Sequence, residues 1–311
     1  MPITLPPPLK PGDLLYAVAP SGTLREQTCF HQGVEIWRSR GYRVELANNW
    51  DARWGYLAGK DHQRRQALAT AWQDPDCRGI LCVRGGYGAT RLLENWHWGM
   101  GKQKNVPVAE ELLPVAPSKW LIGFSDITAL LWSLAKVGIG GLHAPLLTTL
   151  AQEPDWSIDR LLNCVEGRPL KPLSGVGWGN GKSKGPIIPA NLTVATHLLA
   201  TPFQPSLQGV ILALEDVTEA PYRIDRMLTQ WRMMGALEEV KGIALGRFSS
   251  CEPPENIPSL SLEEVLRDRL GDLGIPIVSD LPFGHEGSNA TLPVGQMVEL
   301  DGNQGVLRFL G

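Results

Sequence analysis

The amino-acid sequence predicts an α/β protein in which an N-terminal doubly wound parallel sheet is followed by a smaller C-terminal mixed β/α domain. Three observations carry this. Short apolar runs alternate with amphipathic helical segments through the first half of the chain, the pattern of strand and crossover helix. Residues 166–185 shift to Gly, Pro, Lys and Ser, as in Gly175-Val-Gly-Trp-Gly-Asn-Gly-Lys-Ser-Lys-Gly185, with little periodicity. The last stretch places two alternating runs, Gln296–Leu300 and Val306–Leu310, around Asp301-Gly302-Asn303, a hairpin signal. The expected division is therefore 1–165 for the first domain, 166–185 for a linker and 186–311 for the second domain.

Each element has a local reason. Leu14–Ala19 is an apolar run ended by Pro20-Ser21-Gly22, so it reads as a strand. Phe30, Val34 and Trp37 recur at helical spacing until Gly41, and Tyr42–Leu46 follows as a second strand. Ala67, Leu68, Ala71 and Trp72 mark a helix that must stop at Asp74, because a residue before proline is driven out of helical space. Strands Gly79–Val83 and Trp120–Phe124 come next, and Ile127, Leu130, Leu131 and Leu134 share one helical face until Gly138. In the second half the strands are Gln208–Leu214 and Lys241–Leu245. One helix opens near Pro221, a residue suited to the first helical position, and another spans roughly Ser261–Leu270.

Composition narrows the function. The 311 residues carry 29 Lys plus Arg against 32 Asp plus Glu, a net charge of −3. Such a surface lacks the concentrated positive field that nucleic acid or anionic membrane requires, so neither is an expected partner. The five cysteines are odd in number, widely spaced and never in a C-x-x-C arrangement, which points to neither a disulfide framework nor a zinc knuckle. No basic n-region and apolar h-region open the chain, and Leu121–Leu142 is too punctuated by Asp126, Lys136 and glycines to span a bilayer. The expectation is a cytoplasmic protein acting on a small molecule or peptide.

Four constellations could carry chemistry. Ser125, in Gly123-Phe-Ser-Asp126, lies between a buried strand and an amphipathic helix, where a hydroxyl is presented at the strand's carboxyl end; a plain helix cap by Ser125 or Asp126 fits the same spacing. Ile127 stands where G-x-S-x-G would need its second glycine, so an α/β-hydrolase is not indicated. Arg84-Gly-Gly-Tyr-Gly88 lets backbone N–H groups approach a ligand as an oxyanion donor or a phosphate cradle would; it is neither G-x-G-x-x-G nor a P-loop, and a tight turn also accounts for it. Leu214-Glu215-Asp216 ends a strand with acids that could orient an imidazole, cap a helix, or pair with Arg223 or Arg226. His285 sits in a glycine-flanked loop, and His143 is the next candidate base. Hydroxyl, carboxylate and imidazole are the three groups that acyl transfer needs, in any chain order. No clustered His, Cys, Asp or Glu spacing argues for a metal, and no cofactor is expected.

With these residues in view, the chain resembles the LD-carboxypeptidase family of serine peptidases, the cytoplasmic muramoyl-tetrapeptide carboxypeptidases of bacterial cell-wall recycling, together with their microcin-immunity relatives. The resemblance runs almost end to end through Val18–Ser21, Gly55–Gly59 with Asp61, Arg84–Gly88, Gly123–Asp126, Leu214–Asp216, Pro221–Arg226 and Leu281–His285. It implies a glutamine-amidotransferase-like N-terminal domain and a smaller C-terminal domain across the site. It implies a catalytic triad of Ser125, Glu215 and His285 and an oxyanion hole from the N–H groups of Gly86 and Asp126. Arg84, Gly85, Tyr87 and Asn191 are the expected substrate-binding residues. The implied substrate is a murein tetrapeptide or a microcin-like peptide-nucleotide, and a homodimer is implied as well. Two readings of other classes stand beside it: a non-catalytic ligand-binding protein of two lobes, and a cysteine enzyme working through Cys82.

Overall fold

The computed structural model describes residues 2–98, 118–253, 255 and 257–310. The N-terminal part runs β1 (Leu14–Val18), α1 (Gln27–Ser39), β2 (Arg43–Leu46), α2 (Asp61–Gln73), β3 (Cys77–Cys82), α3 (Ala89–Leu92), β4 (Trp120–Gly123), α4 (Thr128–Lys136), β5 (Leu142–His143), α5 (Leu147–Leu150) and α6 (Asp155–Val165). Helix α1 buries Phe30, Val34 and Trp37, and α2 buries Ala67, Leu68, Ala71 and Trp72, as their spacing requires. The second helix ends at Asp74, whose ψ of 115° is the extended geometry that Pro75 imposes.

The remaining elements are β6 (Leu173–Ser174), β7 (Val176–Gly177), β8 (Lys182–Asn191), α7 (Leu192–Leu198), β9 (Ile211–Val217), α8 (Pro221–Met233), β10 (Gly242–Ser249), α9 (Leu262–Leu270), β11 (Ile277–Ser279), β12 (Leu292–Pro293), β13 (Met297–Asp301) and β14 (Val306–Phe309). Pro221 opens α8, and Ser261 caps α9 by accepting from the Glu264 N–H.

Among the described residues, six strands form a first sheet in the order β12-β5-β4-β3-β1-β2. Strands β1 to β5 are parallel, and β12, from the other end of the chain, adds antiparallel to β5 through Leu292 opposite His143. The order reverses beside β1, so the loops leaving β1 and β3 diverge and open a crevice at their carboxyl ends. The loops that follow β1, β3 and β4 contain Ser21, Gly85–Gly88 and Ser125 respectively.

The second sheet has the order β6-β14-β13-β8-β9-β10-β11-β7 among the described residues. Its two edge strands, β6 and β7, are separated in the chain by Gly175 alone, so the sheet wraps round onto itself. Ile187, Ile211, Ala213, Ala244, Val278, Phe283, Val298 and Leu300 pack together within it. The stretch 166–185, expected as a linker, thus carries β6, β7 and the start of β8. Its glycines serve close packing: a Cβ on Gly175 would lie 2.2 Å from the Ser279 carbonyl oxygen, and one on Gly177 would lie 2.2 Å from that of Gly302. Helix α4 joins the two sheets, with fully buried Trp132 donating from Nε1 to the Pro189 carbonyl at 3.1 Å and its ring 6.2 Å from that of Trp231.

Candidate active site

Ser125 follows the extended Phe124 at the carboxyl end of β4 and has φ +63°, a left-handed backbone that a non-glycine residue adopts only when its surroundings hold it there. A turn of this kind between a buried strand and a helix lifts the hydroxyl out of the sheet. Gly85 approaches it closely: a Cβ on Gly85 would lie 3.0 Å from Ser125 Cβ and 3.1 Å from its Oγ. Gly86 stands beside this contact at φ +104°, exposed to solvent.

From the second sheet, Glu215 at the end of β9 is fully buried, and its Oε2 lies 2.7 Å from Nδ1 of His285. The loop that carries His285 crosses back over β10, held by the Arg247 N–H on the Phe283 carbonyl at 2.8 Å and the Leu281 N–H on the Leu245 carbonyl at 3.1 Å. Burial disfavours the imidazolium, yet the hydrogen bond and charge of Glu215, with the charge of Asp216, outweigh it, and the His285 pKa is raised above the ordinary value. The imidazole packs on Phe124, the residue before Ser125, with ring centroids 4.7 Å apart. None of the hydrogen bonds among the described residues joins Ser125 Oγ to His285. Such contacts often tighten only once substrate is bound.

His143 is fully buried between Phe124 and Phe283, at ring distances of 5.7 and 6.1 Å, and neither ring nitrogen has a partner among the described residues. Burial, then the charge of His285, pushes its pKa down to about 3, so it is a neutral wall of the site. The structure thereby separates the two candidate bases. Cys82 is also buried, and burial followed by the Asp126 charge pushes its thiol far above the range in which a thiolate forms near neutral pH.

Asn191, an expected substrate-binding residue, is turned toward the acids of the second sheet. It is 4% exposed, and its side-chain amide donates to Glu215 Oε1 at 3.3 Å and Asp216 Oδ1 at 2.9 Å, while its Oδ1 caps α7 by accepting from the Val194 N–H at 3.1 Å. It orients the carboxylates. Asp216 in turn accepts from the N–H and hydroxyl of Thr193, each at 2.8 Å. Burial raises the Asp216 pKa, opposed by those hydrogen bonds. Arg84 and Tyr87, with Gly22, Arg25, Tyr56 and Gly86, line a cavity of about 320 Å³ beside the glycine loop. One Arg84 nitrogen donates to the Thr23 carbonyl at 2.9 Å. Arg223 and Arg226 lie instead against the Tyr222 ring on α8, at 5.8 and 5.4 Å.

The Asp126 carboxylate is buried and accepts from Ser21 Oγ at 2.6 Å and the Ala89 N–H at 2.8 Å, so it caps no turn of its own helix. Burial raises its pKa, against those bonds and the nearby Arg64 charge. Arg64, absent from the sequence expectations, is the buried cation of this region. Its signal was present: it shares α2 with Ala67, Leu68 and Ala71 and falls on the same buried face. Among the described residues no three His, Cys, Asp or Glu side chains converge as metal ligands would, and no helix is long and apolar enough to cross a membrane.

The family model for the LD-carboxypeptidase N-terminal domain matches residues 16–144, and that for the LD-carboxypeptidase C-terminal domain matches residues 184–300. The chain belongs to the LD-carboxypeptidase family. It is 57% identical over 305 residues to a Synechocystis protein named provisionally as a carboxypeptidase, covering 98% of this chain and 97% of that protein. To the murein tetrapeptide carboxypeptidase of Pseudomonas aeruginosa it is 31% identical over 282 residues, covering 85% of each. The crystal structure of muramoyltetrapeptide carboxypeptidase from Oxalobacter formigenes superposes with a TM-score of 0.81 at 27% identity, over 95% of this chain and 97% of that one. Membership of the LD-carboxypeptidase family makes this chain a peptidase-type hydrolase of the two-sheet α/β architecture described above.

Proposed function

We propose that this protein is a serine carboxypeptidase that releases the terminal D-alanine of a murein tetrapeptide by cleaving its bond to the L-centre of the diaminopimelate residue. The observation that carries the reading is the Glu215–His285 hydrogen bond of 2.7 Å, whose imidazole packs on the residue next to the left-handed Ser125. Ser125 Oγ attacks the amide carbonyl while His285 takes its proton, and Glu215 holds the imidazole in the tautomer with Nδ1 protonated. The carbonyl oxygen becomes an oxyanion and is met by the N–H groups of Gly86 and Asp126, each such donor being worth about 2.7 to 4 kcal/mol. His285 then delivers the proton to the departing amine, which leaves as D-alanine with the acyl group on Ser125. Water, deprotonated by His285, attacks the ester and restores the serine.

An exopeptidase must also hold the free carboxylate of its substrate. Arg84 in the cavity beside Gly86 is suited to this, because a guanidinium binds a carboxylate through paired hydrogen bonds. The test is mass spectrometry of products from a murein tetrapeptide. Loss of one alanine by the native enzyme and an intact peptide with Ser125→Ala are expected. Near-full turnover by Ser125→Ala would exclude the serine mechanism, and an intact peptide with the native enzyme would exclude this substrate and favour the peptide-nucleotide alternative.

A further inference from the structure

The peptide bond between Gly88 and Ala89 is gripped from both sides. Its carbonyl oxygen accepts from Arg64 Nη1 at 2.7 Å, and its N–H donates to Asp126 Oδ2 at 2.8 Å. The same two side chains hold the loop after β1: Arg64 Nη1 donates to the Pro20 carbonyl, and Asp126 Oδ2 accepts from the Ser21 hydroxyl at 2.6 Å. A guanidinium from α2 and a carboxyl group from the turn after β4 thus bind the adjacent residues 20 and 21 and the adjacent residues 88 and 89. Arg64 is fully buried and Asp126 is 2% exposed.

The grip is built into the packing. Gly88 has φ +129°, and a Cβ there would lie 2.7 Å from Arg64 Nη1 and 2.4 Å from Leu57 Cδ2, so the guanidinium occupies space that any other residue would need. Asp61 accepts from Arg64 Nη2 and from Arg91 at 2.7 Å, which fixes the guanidinium and keeps the buried charge paired. The held peptide closes the segment Gly85–Gly88, which contains three glycines and whose first residue, Gly85, lies against Ser125 Oγ. Left to itself, a loop so rich in glycine has a wide choice of backbone conformations.

We propose that Asp126, through its side chain, and Arg64 are positioning residues that clamp the Gly85–Gly88 loop against Ser125 and aim the Gly86 amide before substrate arrives. The inference rests on the reading of Gly86 as an oxyanion donor. It gives Asp126 a second part besides its backbone N–H and gives Arg64 a place in the site although neither side chain meets substrate. A donor held in advance acts on the transition state, so loss of the clamp lowers kcat and leaves KM nearly unchanged.

The experiment compares Asp126→Ala and Asp126→Asn in D-alanine release and in hydrogen exchange at the Ala89 amide. Asp126→Ala removes the acceptor, and a displacement of the order of 1 Å costs about 10² in rate. The expected result is a kcat about 10²-fold lower, KM within about threefold, an unshifted acid limb of the pH profile, and Ala89 exchange at least about tenfold faster while Leu81 in β3 stays protected. Asp126→Asn still offers one carbonyl oxygen to both donors and is expected to restore kcat to within about tenfold of native. Native kcat in Asp126→Ala, a rise in KM alone, or unchanged Ala89 exchange would overturn the clamp. Should Asp126→Ala not fold, Gly88→Ala displaces the same peptide bond from the Arg64 side. A kcat within about twofold of native in that variant would likewise overturn it. If the native enzyme releases no D-alanine, the proposed function fails, and exchange at Ala89 still decides the clamp.

Discussion

Gly85 lies against Ser125 so closely that a Cβ on the glycine would stand 3.1 Å from the serine hydroxyl oxygen. Any side chain at this position would have to displace the serine by a few tenths of an ångström. The Gly85 backbone is not in the left-handed region, so an alanine meets no backbone strain, only the serine. Gly85→Ala is expected to fold with nearly native stability and to lose about 10² to 10³ in kcat, the cost of misplacing one oxyanion donor. Thermal unfolding set beside steady-state kinetics checks this, and native kcat would contradict the arrangement.

The raised pKa of His285 sets a pH dependence. In the proposed mechanism the base must be neutral to accept the serine proton, so kcat/KM is expected to fall as pH drops through that raised value. Replacing Glu215 with Gln removes the charge that raises it and, because Asn191 donates to the Oε1 position, turns the Gln amide N–H toward Nδ1, so that burial is left to lower it. The acid limb of the Glu215→Gln profile is expected to move to lower pH, with turnover down by about 10⁴ because the tautomer is lost. A limb that stays in place would mean that another group titrates.

His143 makes a prediction about stability. Its folded pKa of about 3 lies below the ordinary 6.5, so between these values the unfolded chain binds the extra proton and folding stability falls as pH falls. The slope from this one group approaches 1.4 kcal/mol per pH unit, about one proton's worth. His143→Phe, which keeps the aromatic contacts with Phe124 and Phe283, is expected to remove that slope. Denaturant unfolding between pH 4 and about 6.5 measures it. Equal slopes in both proteins would refute the assignment of a neutral buried imidazole.

Arg84→Ala is expected to raise KM for D-alanine-terminated peptides by about 10 to 10² while kcat changes less, since a charge-assisted hydrogen bond contributes about 1.5 to 3 kcal/mol. An unchanged KM would clear Arg84 of holding the substrate carboxylate and leave Arg25 as the other cation lining that cavity.

Alkylation separates serine from thiol chemistry. Cys82 is 1% exposed with its thiol pushed far up, so iodoacetamide is expected to leave activity intact. Loss of activity that tracks modification of Cys82 would reverse the choice of nucleophile.

Much of this architecture was legible in the sequence because its signals are local. Apolar runs between punctuating residues gave β1, β3 and β4, helical spacing gave α1 and α2, and Ser261 marked the start of α9. What escaped depends on distant neighbours. Gly175 and Gly177 suggested a flexible linker, although they are glycines because the carbonyls of Ser279 and Gly302 occupy the space of their side chains. The partners of Asn191, Glu215 and Asp216, are acids on the neighbouring strand that its own segment does not reveal. Arg64 carried the wrong kind of side chain for the buried face its spacing assigned, and that mismatch was the one trace of its partnership with Gly88 and Asp61.

The antiparallel pairing of Leu292 with His143 has a consequence for synthesis and assembly. Strand β5 emerges early, with one side unpaired, and its partner is translated only after the whole second sheet except its last hairpin. Until then α4 also lacks the second sheet, and the side of Trp132 that meets Pro189 and Trp231 is left as open apolar surface of the sort that recruits other chains into aggregates. A gene fragment ending before β8 would produce that vulnerable state permanently, so expression of the N-terminal half by itself should yield insoluble material, whereas the intact chain seals its own seam.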